Sequence, residues 1–218
     1  MFEALGIPWQ IVVAVPLLAA LIVLLGMPVV IPLLRRLHVG QTVREEGPAS
    51  HRVKTGTPTM GGLVIITAAI VVTVIWAPRD AALGVALVLF VGHGLLGFLD
   101  DFLKVRRRQN LGLKARYKLV LQALLTAVLV VAVQQQGLGT WIAIPFTTMR
   151  VDLGLGYPVL VLLIVLGASN GVNLTDGLDG LLAGVTLPVG LVYAIIAALF
   201  GAQSLSIVWL ALVGALIG

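Results

Sequence analysis

No cysteine occurs among the 218 residues, which excludes a disulfide framework, a thiolate zinc site and a thiol nucleophile. Charge is also scarce. Asp, Glu, Lys and Arg make up 11% of the chain and apolar residues 60%, against about 25% and about 45–50% in soluble domains. So little polar surface cannot shield the chain from water, and its solvent is therefore lipid. Residues Met1 to Gln10 contain Glu3 and neither Lys nor Arg. The basic region of a cleaved signal peptide is missing, so the first apolar run is expected to stay in the mature protein. The net charge of +5 fits basic cytoplasmic loops of a membrane protein better than a nucleic-acid surface.

What the chain has instead is long apolar runs, at roughly 9–34, 59–77, 81–99, 117–136, 157–174, 181–200 and 205–218, where a membrane helix takes about 20 residues. These predict an all-α polytopic membrane protein. All but the fifth and seventh runs are long enough and nearly uncharged. The fifth runs into the polar stretch Ser169-Asn170-Gly171-Val172-Asn173, of a kind tolerated at membrane depth where it lines a cavity. The seventh ends at Gly218 with no polar flank, so residues 1–218 are expected to form a single domain that is incomplete at its C-terminus.

Basic residues set the orientation. Arg35, Arg36, Arg44, Arg52 and Lys54 follow the first run. Lys104, Arg106, Arg107, Arg108, Lys114, Arg116 and Lys118 follow the third. The remaining two, Arg79 and Arg150, fall in alternate connections. Both basic loops, and the loop with Asp176 and Asp179, are then cytoplasmic, and the N-terminus lies outside. In the outer connection, Ile142, Ile144 and Phe146, then Met149, Val151 and Leu153, alternate with other residues around Thr147-Thr148. Period two about a polar turn predicts a small β-hairpin near 141–153, against the outer membrane surface.

Four clusters carry chemistry. Asp100 and Asp101 are adjacent carboxylates at the inner end of the third run, and their repulsion at a bilayer boundary needs a cation, a shared proton or a metal. Lys104 lies one helical turn beyond Asp100, so the plain alternative is a helix end with an ion pair. Asn170, Asn173, Asp176 and Asp179 form the second cluster, with Gly177 and Gly180 between them. Amides and carboxylates together suit a hard cation such as Mg²⁺, or the hydroxyls and ring N–H groups of a nucleoside; an Asx-rich turn is the plain reading. The third, His51 to Gly62, places basic residues, hydroxyls and glycines before a helix N-terminus, a natural anion site without Walker A spacing. In the fourth, Arg106-Arg107-Arg108 suits anionic headgroups, while Arg116 and Lys118 sit closer to the next helix, near enough to face a phosphate. His38 and His93 read as structural. Acids to hold Mg²⁺ or take a proton, with cations to steady phosphates, are the equipment of phosphoryl transfer.

These motifs resemble those of the phospho-N-acetylmuramoyl-pentapeptide transferase family. His51-Arg52-Val53-Lys54-Thr55-Gly56-Thr57-Pro58-Thr59-Met60-Gly61-Gly62 is similar to its HxxKxGTPTMGG block, Gly97 to Lys104 to its GFxDDxxK block, Gly112 to Lys118 to its basic continuation, and Asn173 to Gly180 to its NLTDGLDG block. The resemblance implies transfer of phospho-MurNAc-pentapeptide from UDP-MurNAc-pentapeptide to undecaprenyl phosphate, giving lipid I and UMP with Mg²⁺, at the bacterial inner membrane. By the same carry-over, Asp100 and Asp101 are the catalytic pair, one of them deprotonating or orienting the lipid phosphate. Lys54, Thr59, Asn173, Asp176 and Asp179 match positions around the uridine and diphosphate, Arg116 a basic residue near the phosphates, and Asn170 a position beside them. Lys104 belongs to the substrate-binding set, and Asp100, Asp101 and Asp176 are candidate metal ligands, with a further one expected beyond Gly218. Family members have about ten membrane helices and form homodimers, so seven runs imply truncation and a fragment that is inactive or nearly so.

Two rivals remain. A UDP-GlcNAc:polyprenyl-phosphate transferase is disfavoured by Lys104, where such enzymes usually carry an acid, and by the GTPTMGG block. A transporter would place acids near the bilayer midplane, whereas here the nine Asp and Glu residues lie in loops or at helix ends.

Overall fold

A computed structural model describes residues 6–36, 60–107, 109, 112–176 and 180–218. Among them are seven helices and one hairpin: α1 (Trp9–Arg36), α2 (Gly62–Trp76), α3 (Ala81–Arg107), α4 (Ala115–Gln135), β1 (Trp141–Ala143), β2 (Arg150–Asp152), α5 (Gly156–Thr175), α6 (Leu181–Leu199) and α7 (Gln203–Ile217). The all-α, multi-pass expectation and the hairpin are both met. Helices α1, α3, α4, α5 and α6 are long and apolar enough to cross a membrane, and α2 and α7 are shorter apolar helices. In each of the five, most of the apolar surface is turned away from the rest of the chain, which is where lipid belongs.

The run at 81–99 continues as helix through the acidic pair to Arg107, 27 residues in all. The run at 59–77 gives a helix of only 15 residues, about 22 Å long. It ends because Pro78 holds Ala77 in extended backbone (ψ 138°), as a residue before proline prefers. The run at 157–174 forms the expected helix, Gly156–Thr175, with the polar stretch inside it. Its polar side chains turn back onto the helix: Asn170 Nδ2 donates to the Leu166 carbonyl at 2.8 Å, and Thr175 Oγ1 to Gly171 at 2.9 Å. Side chains satisfied this way do not interrupt a membrane helix.

The chain packs as two compact units, residues 1–113 with 180–218, and residues 114–179. In the first, the core is a seam of Val15, Ala19 and Val23 from α1, Ala68, Ala69 and Val72 from α2, Leu83 from α3, Ala194 from α6, and Ile207, Leu210, Ala211 and Ala215 from α7. Small residues dominate because helices in lipid gain from close backbone approach. Gly214 on α7 and Gly218, one turn on at its C-terminal cap, lie directly against the backbone of Pro16 and Ala20 on α1, and a side chain at either position would collide. At the start of α3, Asp80 Oδ1 accepts the Leu83 N–H (2.7 Å) and the Ser204 hydroxyl (2.9 Å), capping α3 and tying it to α7.

In the second unit, α4 and α5 are joined through β1 and β2, which pair antiparallel with Trp141 opposite Asp152, Ile142 opposite Val151 and Ala143 opposite Arg150.

Candidate active site

The C-terminal turns of α3 carry Asp100, Asp101 and Lys104. On a helix, residues three and four apart share a face, so one ammonium reaches both acids: Lys104 Nζ lies 2.6 Å from Asp100 Oδ2 and 3.0 Å from Asp101 Oδ1. A lysine in the last turn also complements the negative end of the helix dipole. The two carboxylates differ in their surroundings. Asp100 is 17% exposed, and its second oxygen, Oδ1, accepts the Leu113 backbone N–H at 2.8 Å. Asp101 is 37% exposed. Gly112 rests directly on the Asp100 carboxylate, where a Cβ would have no room. A glycine here therefore lets the chain after α3 fold back and deliver its amide. Phe98 and Phe102 stack alongside on the same helix, centroids 6.0 Å apart. His93, further into α3, has Nδ1 2.9 Å from the Leu89 carbonyl.

The other described candidates belong to the second unit. Arg116 lies in the exposed first turn of α4, its guanidinium 4.8 Å from the Tyr117 ring centroid and bonded to the Tyr117 hydroxyl at 3.1 Å. Lys114 caps this helix in extended backbone with no side-chain capping bond, its carbonyl accepting the Tyr117 and Lys118 N–H groups (2.9 and 3.3 Å). Lys114, Arg116 and Lys118 give the helix start a positive charge suited to an anion. Asn170 and Asn173 lie one turn apart near the end of α5, and Asp176 is its C-terminal cap. Asn173 and Asp176 are exposed, and Asn170 is half-buried.

Gln122, a residue the sequence reading passed over, holds these ends together. It is fully buried. Its Nε2 donates to Ser169 Oγ at 2.7 Å, and its Oε1 accepts from Asn170 Nδ2 at 3.4 Å. Thr126 Oγ1 closes the cluster on the Gln122 carbonyl at 2.8 Å. The bridge pins the N-terminal part of α4 to the C-terminal part of α5, so Arg116 and the Asn173–Asp176 turn share one end of the unit and the hairpin occupies the other. A glutamine in the interior of the 117–136 run, away from its polar ends, was the signal available, since a buried amide in lipid requires partners.

Lys54, Thr59 and Asp179 lie outside the described residues. Asp100, Asp101 and Lys104 are brought together in the first unit. Arg116, Asn170, Asn173 and Asp176 are carried by the second. Among the described residues, no three His, Asp or Glu side chains converge as a metal-ligand set.

A multi-pass helical membrane protein with a lysine-bridged carboxylate pair at a helix end and a cationic helix start is thus defined. Residues 82–218 match the model of glycosyl transferase family 4, and residues 54–66 match signature 1 of phospho-N-acetylmuramoyl-pentapeptide-transferase. The phospho-N-acetylmuramoyl-pentapeptide-transferase of a Geobacillus species is 46% identical over 213 residues, covering 96% of this chain and 66% of that protein. The proteins of the same name from Oceanobacillus iheyensis and Bacillus subtilis are 49% and 44% identical, over 92% and 96% of this chain and 63% and 66% of theirs. The chain spans just under two thirds of the length of these curated relatives. It belongs to glycosyl transferase family 4.

Proposed function

We propose that the protein transfers phospho-MurNAc-pentapeptide from UDP-MurNAc-pentapeptide to undecaprenyl phosphate, producing lipid I and UMP for peptidoglycan synthesis. A phosphate oxygen of the lipid attacks the sugar-bearing phosphorus of the donor. The new P–O bond forms as the bond to the bridging oxygen breaks, and UMP leaves with that oxygen. The observation that carries this reading is the Asp100–Asp101 pair bridged by Lys104 at the end of a membrane-length helix, in a chain 44–49% identical to proteins named for this transfer.

The pair suits a nucleophile that arrives in the bilayer as a phosphate. A carboxylate there takes the remaining proton of the lipid phosphate or orients it, and Lys104 offsets the negative charge that gathers. Lys54, Thr59, Arg116, Asn170, Asn173, Asp176 and Asp179 bind the donor, the cations at its phosphates and the amides and acids at its uridine. Mg²⁺ is the cofactor this chemistry calls for, since it neutralises diphosphate charge and polarises phosphorus. Carboxylate oxygens such as those of Asp100, Asp101 and Asp176 are the donors it takes. The protein works in the bacterial inner membrane with its N-terminus outside and these residues on the cytoplasmic face, which the positions of the Lys and Arg residues support. It works as a homodimer.

The test supplies membranes containing these residues within a chain of the relatives' full length, with undecaprenyl phosphate, Mg²⁺ and either UDP-MurNAc-pentapeptide or UDP-GlcNAc. Lipid-linked product and UMP from the first donor only are expected. Product from UDP-GlcNAc alone would transfer the assignment to the related GlcNAc-1-phosphate transferases.

A further inference from the structure

The β1–β2 hairpin has two unlike faces. Paired residues of an antiparallel ladder share a side and sides alternate along each strand. Ile142 and Val151 are therefore together on one face. Ile144 and Met149 extend that face, since the Ile144 N–H continues the ladder to the Met149 carbonyl at 3.0 Å. The opposite face carries Trp141, Ala143, Arg150 and Asp152, with the Arg150 guanidinium 4.2 Å from the Trp141 ring centroid. None of the large apolar side chains is buried, from Ile142 and Ile144 at 37% exposed to Met149 at 63%. At the tip, Phe146 has φ +64° and is fully exposed, a conformation disfavoured for a bulky residue. It is fixed there by Thr147, whose N–H and hydroxyl both donate to the Ile144 carbonyl (3.2 and 2.9 Å) and whose Oγ1 accepts the Met149 N–H (3.2 Å).

The hairpin is also tied closely to membrane helices at both ends. Residues 136–140 and 153–155 join it to α4 and α5, and at about 3.5 Å per residue neither link exceeds about 20 Å. Both links are turned in by backbone hydrogen bonds, Leu138 N–H to Val133 at 3.3 Å and Gly156 N–H to Leu153 at 2.7 Å among them. An apolar strand face in water invites aggregation, and one held this near a bilayer has lipid within reach.

We propose that residues 141–152 form a bilayer anchor. The Ile142–Ile144–Met149–Val151 face and Phe146 enter the membrane interface, and Arg150, stacked on Trp141, lies at the level of the lipid phosphates. Tryptophan and arginine are the residues that favour that boundary. A second copy of the chain fits this face less well, because a stable interface takes about 800 Å² and roughly 20–30 residues from each partner, whereas this face offers five side chains.

The 218 residues contain no cysteine, so a single introduced thiol is the only one among them. Phe146→Cys carrying a nitroxide, in the protein reconstituted in phosphatidylcholine–phosphatidylglycerol bilayers, is expected to collide with oxygen and lose collisions with an aqueous nickel chelate. A nitroxide at Ala143→Cys, on the polar face, keeps them. Val151→Cys, on the apolar face, gives the same reading as Phe146→Cys if that variant is not recovered. Chelate access at 146 or 151 equal to that at 143 overturns the proposal. Spin–spin broadening between copies overturns it in favour of a second chain, and exclusion of both reagents overturns it in favour of protein cover.

Discussion

Lys104 Nζ sits 2.6 Å from Asp100 Oδ2 and 3.0 Å from Asp101 Oδ1, so one cation serves two adjacent carboxylates at the end of a membrane-length helix. Removing it leaves the acids to repel one another at a bilayer boundary. Lys104→Met is expected to lower kcat by about 10²-fold or more, the scale of losing one charge-stabilising donor. Lys104→Arg retains the charge and loses less. Initial rates of UMP release check both.

Gly112 and Leu113 act on the same acid from the far side. Gly112→Val pushes a side chain into the Asp100 carboxylate and withdraws the Leu113 amide from it. A displacement of about 1 Å can cost about 10²-fold in rate. Turnover should therefore fall while the Tm, read by thermal unfolding in detergent, barely moves, because the site lies outside the core seam.

Gln122 predicts the opposite pattern. Gln122→Leu strips Ser169 and Asn170 of a buried partner and loosens α4 from α5. The double-mutant cycle with Ser169→Ala is expected to give a coupling of about 0.6–1.7 kcal/mol, the range of hydrogen bonds between membrane helices. Uridine-nucleotide affinity should weaken alongside the Tm.

The α1–α7 seam is the most sensitive packing in the first unit. Gly214→Leu drives a side chain into the Pro16 backbone and should destabilise by about 1–3 kcal/mol, seen as a lower Tm. Gly97→Ala, which meets open space, is the silent control.

Asp152 supplies a pH signature on the hairpin. The Thr140 hydroxyl, and then the Gly154 N–H, hold its carboxyl below the usual carboxylate range. A depressed native pKa means that the hairpin gains stability from this group above the unfolded pKa. That gain is lost as pH falls from there through the native pKa. Thr140→Val should return the Asp152 titration, followed by carboxyl NMR, toward an ordinary aspartate.

Most of the fold was legible because lipid imposes a simple code. Among the described residues each of the seven apolar runs forms a helix, and alternation around Thr147-Thr148 marks the hairpin at 141–152. The errors were local. α2 starts at Gly62, three residues into its run, and stops before Pro78, while α3 continues past its run to Arg107. In the site, the spacing of Asp100 and Lys104 announced their ion pair, and the second bond to Asp101 follows from the same helical turn. The Leu113 amide on Asp100 was hidden, since a backbone group has no identity in sequence and only the neighbouring Gly112 hinted at close approach. Gln122 was hidden for another reason, since its partners lie 47 and 48 residues away, beyond any local periodicity.

The central claim is that the Lys104-bridged carboxylates serve transfer of phospho-MurNAc-pentapeptide to a lipid phosphate. The most direct measurement is undecaprenyl-phosphate-dependent UMP release from UDP-MurNAc-pentapeptide, comparing the protein with its Asp100→Asn and Asp101→Asn variants at equal donor binding. The account predicts release by the unsubstituted chain at its relatives' full length and a loss of orders of magnitude in the variants. Undiminished release in both variants would contradict it.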